Sequence, residues 1–239
     1  MKKHNGLLLF SALFMAVLIT YSSLFTALFG VLSRQSAAVD TTAHTLIILD
    51  AGHGGEDGGA SGTNGVVEKD LNLSVTRALA ALLRLAGYEV LESRTEDKLL
   101  YDEGTKKGHK KQGDLKNRLA LTEQYPDSVF ISIHMNTFPD ASCSGTQIWY
   151  SQNHKESLAW ANAVQQSVRQ HLQPNNNRKT KAATSNIYIL RHAKTPAILI
   201  ECGFISTPAE CEKLCDSRYQ QELVLALFAA IDEKMQVQS

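Results

Sequence analysis

Three apolar segments of the chain end on residues that can bind a metal ion or transfer a proton. His53 follows LIILDAG, His134 follows VFISI, and Glu201 follows PAILI. A single histidine in such a place is often an ordinary core residue. Three polar residues at the ends of apolar runs form a more specific pattern, because parallel strands bring their carboxyl ends to one edge of a sheet. We therefore predict a site where these three side chains meet.

Two histidines and one carboxylate, with a fourth position open for water, form a common ligand set for catalytic zinc. His53 and His134 are the predicted histidine ligands. The carboxylate could be Glu68, which stands at the start of a predicted helix after a glycine-rich loop. Other acids lie near it in the sequence: Glu56, Asp57 and Asp70. Residue chemistry alone does not choose among these carboxylates.

Other residues near these positions could support hydrolysis. Glu201 could take a proton from an attacking water and pass it to a leaving amine. A structural, ion-paired Glu201 is the alternative, since an unpaired buried carboxylate is costly. Asp50 could accept a hydrogen bond from His53 and orient its ring. Asn136 and Arg118 are candidates for contacts with a substrate.

The pattern of apolar residues predicts the elements that position this site. Strands are predicted at residues 45–50, 88–94, 128–136, 145–151, 186–190 and 195–204. Apolar residues recur with helical spacing in the segments 68–86, 114–124 and 156–172, and a last helix ends near Met235. This alternation predicts a single α/β domain, with a mostly parallel, twisted sheet covered by helices.

The first residues carry a different signal. Leu7–Leu32 contains no charged residue, and as a helix it would span roughly 39 Å, enough to cross a bilayer. Lys2 and Lys3 precede it, which predicts a cytoplasmic N-terminus and an exported remainder. Residues 1–35 are therefore predicted to be a signal anchor or signal peptide, and the length of the apolar run favours an uncleaved anchor. Residues 36–45 would be a polar linker.

Charge and motifs exclude several function classes. The chain has 24 basic and 24 acidic residues, and three of the basic ones, Lys2, Lys3 and Arg34, precede Asp40. The exported part is therefore slightly acidic and shows no basic face for nucleic acid. No GxSxG elbow, Walker loop or GxGxxG motif follows a predicted strand, which argues against serine hydrolases and nucleotide-binding enzymes.

Three blocks of the chain resemble the signatures of a known family. LDAGHGGEDGGASGTNGVVEKDLNL, SIHMN and PAILIECGF look like the signature blocks of the zinc-dependent N-acetylmuramoyl-L-alanine amidases. The resemblance extends over residues 46–235. It implies Zn²⁺ as the cofactor and His53, Glu68 and His134 as its ligands, and thereby selects Glu68. It also implies Glu201 as the catalytic base.

The resemblance implies a reaction and a location as well. Residues 46–237 would be a catalytic domain that cleaves peptidoglycan between the lactyl group of N-acetylmuramic acid and L-alanine of the stem peptide. LLYDEG, DLKNR and NIYILRHAKTPAILIECGF are similar to the sporulation and germination type of amidase, which allows cortex muramic-δ-lactam to form. Such an enzyme would act in the cell wall or the forespore intermembrane space. It would be secreted or held at the cytoplasmic membrane, and an exported activator protein is a further expected partner.

Two other functions remain open from the sequence. One is a zinc peptidase that cuts within the stem peptide, which would use the same site residues and differ only in its products. The other is a non-catalytic module that binds peptidoglycan. The presence of all four site residues argues against the binding module.

Overall fold

The computed structural model describes residues 45–238. The predicted signal anchor or signal peptide at residues 1–35 lies outside this part, as does nearly all of the predicted linker at 36–45. Within residues 45–238, no helix combines the length and the apolar character that crossing a bilayer requires.

Six strands form one sheet in the described part of the chain. They are β1 (Ile47–Ala51), β2 (Val90–Glu92), β3 (Val129–Asn136), β4 (Gln147–Tyr150), β5 (Lys181–Ala182) and β6 (Ala197–Phe204). Their order across the sheet is β2-β1-β3-β6-β4-β5. Neighbouring strands are parallel except for β4 and β6, which are antiparallel. The predicted mostly parallel sheet is confirmed, with one antiparallel pair.

Helices cover both faces of this sheet, as the alternation predicts. They are α1 (Glu68–Leu85), α2 (Lys110–Gln124), α3 (Ser157–His171), α4 (Tyr188–His192), α5 (Pro208–Cys215) and α6 (Ser217–Gln238). Residues of α1, α3, α5 and α6 join one core cluster, and residues of α2 and α4 join the other. In β1, Ile47 and Leu49 belong to the first cluster and Ile48 to the second. Because both faces are buried, the strand is apolar at successive positions.

One predicted strand is wrong. Residues 186–190 were expected to form a strand, but Tyr188–His192 is the short helix α4. Ile189 and Leu190 are buried, whereas Arg191 and His192 are exposed. A short apolar run has no periodicity that separates a strand from one buried turn of helix.

Candidate active site

His53, Glu68 and His134 meet at the edge of the sheet where β1 and β3 end. Nε2 of His53 lies 3.3 Å from Oε1 of Glu68, and Nδ1 of His134 lies 3.0 Å from the same oxygen. One donor atom from each of the three side chains lies within 4.8 Å of the other two. Two imidazoles and a carboxylate with converging donor atoms could hold a metal ion.

The backbone around His53 explains the glycines that surround it. His53 has a φ of 61°, in the left-handed region that residues other than glycine seldom adopt. A Cβ on Gly52 would lie 2.2 Å from Nε2 of His134, and a Cβ on Gly59 would lie 2.5 Å from Oε2 of Glu68. Side chains at these two positions would therefore occupy the space of His134 and Glu68. The turn also stores backbone strain at the site.

Backbone donors hold the Glu68 carboxylate in place. The N–H of Ala60 donates to Oε2 at 2.8 Å, and the N–H of Met135 donates to Oε1 at 3.1 Å. Glu68 is buried, and burial raises its pKa, but hydrogen bonds and charge attraction from His134 and His53 outweigh that effect. The pKa of Glu68 therefore falls well below its usual range, and the carboxylate is ionised near neutral pH.

Asp57 orients the ring of His53. Its Oδ2 lies 3.0 Å from Nδ1 of His53, and Nζ of Lys111 lies 3.1 Å from the same oxygen. An acceptor at Nδ1 places the ring proton there and leaves Nε2 free to face Glu68. From the sequence, Asp57 was only an alternative metal ligand. The four-residue separation between His53 and Asp57 does not show that the turn places the two side chains in contact.

The prediction that Asp50 contacts the ring of His53 is wrong. Asp50 is buried behind the site, where it accepts hydrogen bonds from two serine hydroxyls, both at 2.6 Å, and from Arg118. Arg118 also donates to the backbone oxygen of His53 at 2.7 Å and to Asp114 at 2.8 Å. Asp50 therefore acts on His53 only through Arg118 and the backbone.

The predicted substrate contact of Arg118 does not fit its position. Its side chain is 2% exposed and donates hydrogen bonds to backbone and carboxylate oxygens of the protein. Two buried carboxylates, Asp50 and Asp114, surround this buried cation, as a charge in the interior requires. The i, i+4 spacing of Asp114 and Arg118 on α2 is the sequence signal that indicates this pair.

Glu201 lies next to the three converging residues. It stands opposite His134 in the β3–β6 pair. Its Oε2 is enclosed and has no hydrogen-bond partner within residues 45–238, and no ion pair there involves it, so the structural ion-pair alternative lacks support. Burial and the charge of Glu68, opposed by the two histidines, raise the pKa of Glu201 to about 7. Such a carboxyl could accept and return a proton near neutral pH.

Asn136 ends β3, two residues after His134. It is half-buried, and its Oδ1 accepts a hydrogen bond from the N–H of Thr137 at 2.8 Å. Its place at the edge of the site is compatible with a substrate contact, which stays a prediction. Phe138, two residues further on, is 54% exposed, and no motif or apolar pattern in the sequence indicates its exposure.

Comparison with known proteins decides which family this site belongs to. A family model described as N-acetylmuramoyl-L-alanine amidase matches residues 47–233, most of the chain. The chain belongs to the N-acetylmuramoyl-L-alanine amidase family. The predicted family and enzyme activity are confirmed.

Individual relatives point to the sporulation and germination type. The amidase is 35% identical over 187 residues to the germination-specific N-acetylmuramoyl-L-alanine amidase of Bacillus subtilis (strain 168), covering 78% of each chain. It is 30% identical over 189 residues to the sporulation-specific amidase of the same organism, covering 74% of this chain and 63% of that one. A solved structure, the CwlD amidase from Clostridioides difficile in complex with the GerS lipoprotein, has 35% identity and a TM-score of 0.76. That match covers 81% of this chain and 99% of the other.

Proposed function

We propose that the amidase is a zinc enzyme with His53, Glu68 and His134 as its metal ligands. The observation that carries the proposal is the convergence of two imidazole nitrogens on one carboxylate oxygen, at 3.0 and 3.3 Å. In a tetrahedral zinc site, with bonds of about 2.0 to 2.1 Å, two donor atoms lie about 3.3 Å apart. The carboxylate of Asp57 on the far nitrogen of His53 adds the outer partner that zinc-bound histidines usually have.

The reaction is hydrolysis of the amide between the lactyl group of N-acetylmuramic acid and L-alanine. Zinc held by these ligands would lower the pKa of a water molecule and polarise the lactyl carbonyl. Glu201 accepts the proton of the attacking water and then gives it to the departing amine of L-alanine. A pKa of about 7 suits both steps, because at neutral pH this carboxyl gains or loses a proton at little cost.

We further propose that the amidase acts outside the cytoplasm, on the peptidoglycan of the spore cortex. The similarity to germination-specific and sporulation-specific amidases supports this assignment. Removal of a stem peptide frees the lactyl carboxyl, which muramic-δ-lactam formation requires. Residues 1–35, as a signal anchor or signal peptide, would export the catalytic domain at residues 46–237.

An exported activator is also part of the proposal. The Clostridioides difficile relative was solved in complex with a lipoprotein, which supports a protein partner for this chain. Such a partner would meet the catalytic domain on the outer side of the cytoplasmic membrane. Addition of the partner would raise the rate of hydrolysis or the affinity for zinc.

Product analysis tests the proposed reaction. The full chain in mild detergent is incubated with zinc and defined muropeptides, and the products are identified by mass spectrometry. We expect free stem peptides that begin with L-alanine, together with peptide-free glycan. Glu201→Gln should release neither product, and a chelator should stop the reaction. Cuts within the peptide would indicate the peptidase, and binding without cleavage would indicate the non-catalytic module.

A further inference from the structure

A cavity with a volume of about 820 Å³ lies next to the segment that follows β6, the strand that carries Glu201. It is lined by three chain segments, residues 142–145 before β4, 172–178 after α3 and 207–213 after β6, and by Tyr219 of α6. Gln147, two residues beyond the first segment, lies opposite Glu201 in the β4–β6 pair. The cavity therefore adjoins the catalytic edge of the sheet. Its volume falls within the range of about 300 to 1,000 Å³ that is usual for ligand sites.

Buried polar side chains tie the walls of this cavity together. The carboxylate of Glu210 accepts hydrogen bonds from the N–H of Gly145 at 2.7 Å and the N–H of Phe204 at 2.8 Å. The side chain of Asn176 donates to the backbone oxygen of Thr146 at 2.9 Å. Glu210 and Asn176 are each 7% exposed. The three segments are therefore fixed to one another, and the cavity is preformed.

The cavity presents positive charge. Arg178 and Lys213 line it, and no ion pair within residues 45–238 engages either of them. The guanidinium of Arg178 lies 4.4 Å from the ring centre of Phe204, and its Nε donates to the backbone oxygen of Ser144. Glu210 is the acid among the lining residues; two backbone N–H groups hold its carboxylate, which also attracts Arg178 and Lys213, so one positive charge remains in excess. Two cations among amides and hydroxyls suit a carboxylate.

We propose that this cavity is a subsite that receives a carboxylate of the stem peptide beyond L-alanine. The proposal rests on the proposed amidase reaction, in which the stem peptide is one side of the cleaved bond. The glycan strand is uncharged where its lactyl groups are in amide linkage, whereas the stem peptide carries free carboxylates. The charge of the cavity therefore fits the peptide and not the glycan.

Lys213 is the better residue for a test. Its side chain is exposed, whereas Arg178 also holds the segment 142–145 against Phe204. The full chain with zinc is assayed on two muropeptides that differ only in whether the stem-peptide carboxylates are free or amidated. An exposed ion pair contributes up to about 1 kcal/mol, which corresponds to about fivefold in affinity. We expect the wild-type KM to be about fivefold lower for the free carboxylate form.

Substitutions test whether Lys213 causes the lower KM for the free carboxylate form. Lys213→Gln should reduce the difference in KM and leave kcat unchanged, because Arg178 remains in the cavity, and Lys213→Arg should retain the full difference. Lys116→Gln, an exposed lysine on α2, should behave as the wild type. Equal wild-type KM values for the two substrates would overturn the subsite, as would an undiminished preference in Lys213→Gln. Neither result would contradict the proposed amidase reaction. That reaction would be contradicted if no peptides beginning with L-alanine were released.

Discussion

Replacing Glu201 by glutamine should stabilise the metal-free amidase at alkaline pH while it abolishes hydrolysis. The wild-type carboxyl has an enclosed oxygen without a partner, and its pKa is raised from 4.5 to about 7. Ionisation of this group is therefore easier in the unfolded chain than in the folded one. Glutamine has nearly the same shape and carries no charge, so the variant lacks this cost.

The size and sign of the effect follow from the two pKa values. Below pH 4.5 the carboxyl is mostly protonated in both the folded and the unfolded state, so burying it carries no cost of ionisation. As the pH rises from 4.5 to about 7, the unfolded chain releases the proton first, and the free energy of unfolding decreases. The 2.5 pH units between these values correspond to at most about 3 kcal/mol, since part of the side chain remains open to solvent.

Urea unfolding of the chelator-treated protein at pH 4.5 and pH 8 measures this effect. We expect similar midpoints for the wild type and Glu201→Gln at pH 4.5, and a higher midpoint for the variant at pH 8. Glu103→Gln, an exposed glutamate, is the matched control and should follow the wild type. A constant difference between wild type and Glu201→Gln across this pH range would refute the enclosed carboxyl and its role as a base poised near neutrality.

Three other substitutions test the parts that support the site. Asp57→Ala should weaken zinc binding by about 10- to 100-fold, because it removes the acceptor that orients His53, and competition with a chelator measures the change. Gly52→Ala should reduce zinc affinity and activity more than it reduces stability, because the new Cβ would clash with the ring of His134; zinc titration and urea unfolding compare the two effects. Arg118→Met should lower the free energy of unfolding by about 3 to 5 kcal/mol, because it leaves two buried carboxylates without their cation.

Matched variants distinguish these effects from general damage. Glu56→Gln alters a neighbouring exposed acid and should leave zinc affinity unchanged. Lys116→Met removes an exposed cation from the same helix as Arg118 and should barely change stability. Unchanged zinc affinity in Asp57→Ala would show that another group sets the orientation of His53. A small loss of stability in Arg118→Met would show that Asp50 and Asp114 find other partners.

The sequence predicts the residues that stand at the ends of strands. His53, His134 and Glu201 follow apolar runs, and a parallel sheet with covered faces places such ends together. This topology predicts that the strands run side by side, whereas the register that sets His134 opposite Glu201 comes from the structure. The choice of Glu68 came from the resemblance to a family, because the N–H of Ala60 that holds it lies in a loop without a periodic pattern.

Features that depend on a specific turn or on burial are not visible in the pattern. Asp57 reaches His53 only because the chain turns through a left-handed residue, and no pattern of apolar residues indicates that turn. Arg118 lies on a polar helix, where a cation is usually exposed. It is buried because the loop after β1 packs against α2. The segment at 186–190 is too short for its period to be decided.

The two backbone hydrogen bonds that Glu68 accepts have a consequence for exchange of the proposed zinc ion. Ala60 belongs to the glycine-rich loop and Met135 to β3, so one carboxylate joins loop and sheet through contacts that do not involve an ion. If zinc binds at the proposed site, the entropy of ordering the loop is therefore lost during folding and not when the ion binds. Emptying and refilling of the site should be a local and reversible exchange, with rates that depend on desolvation of the ion and not on rearrangement of the chain.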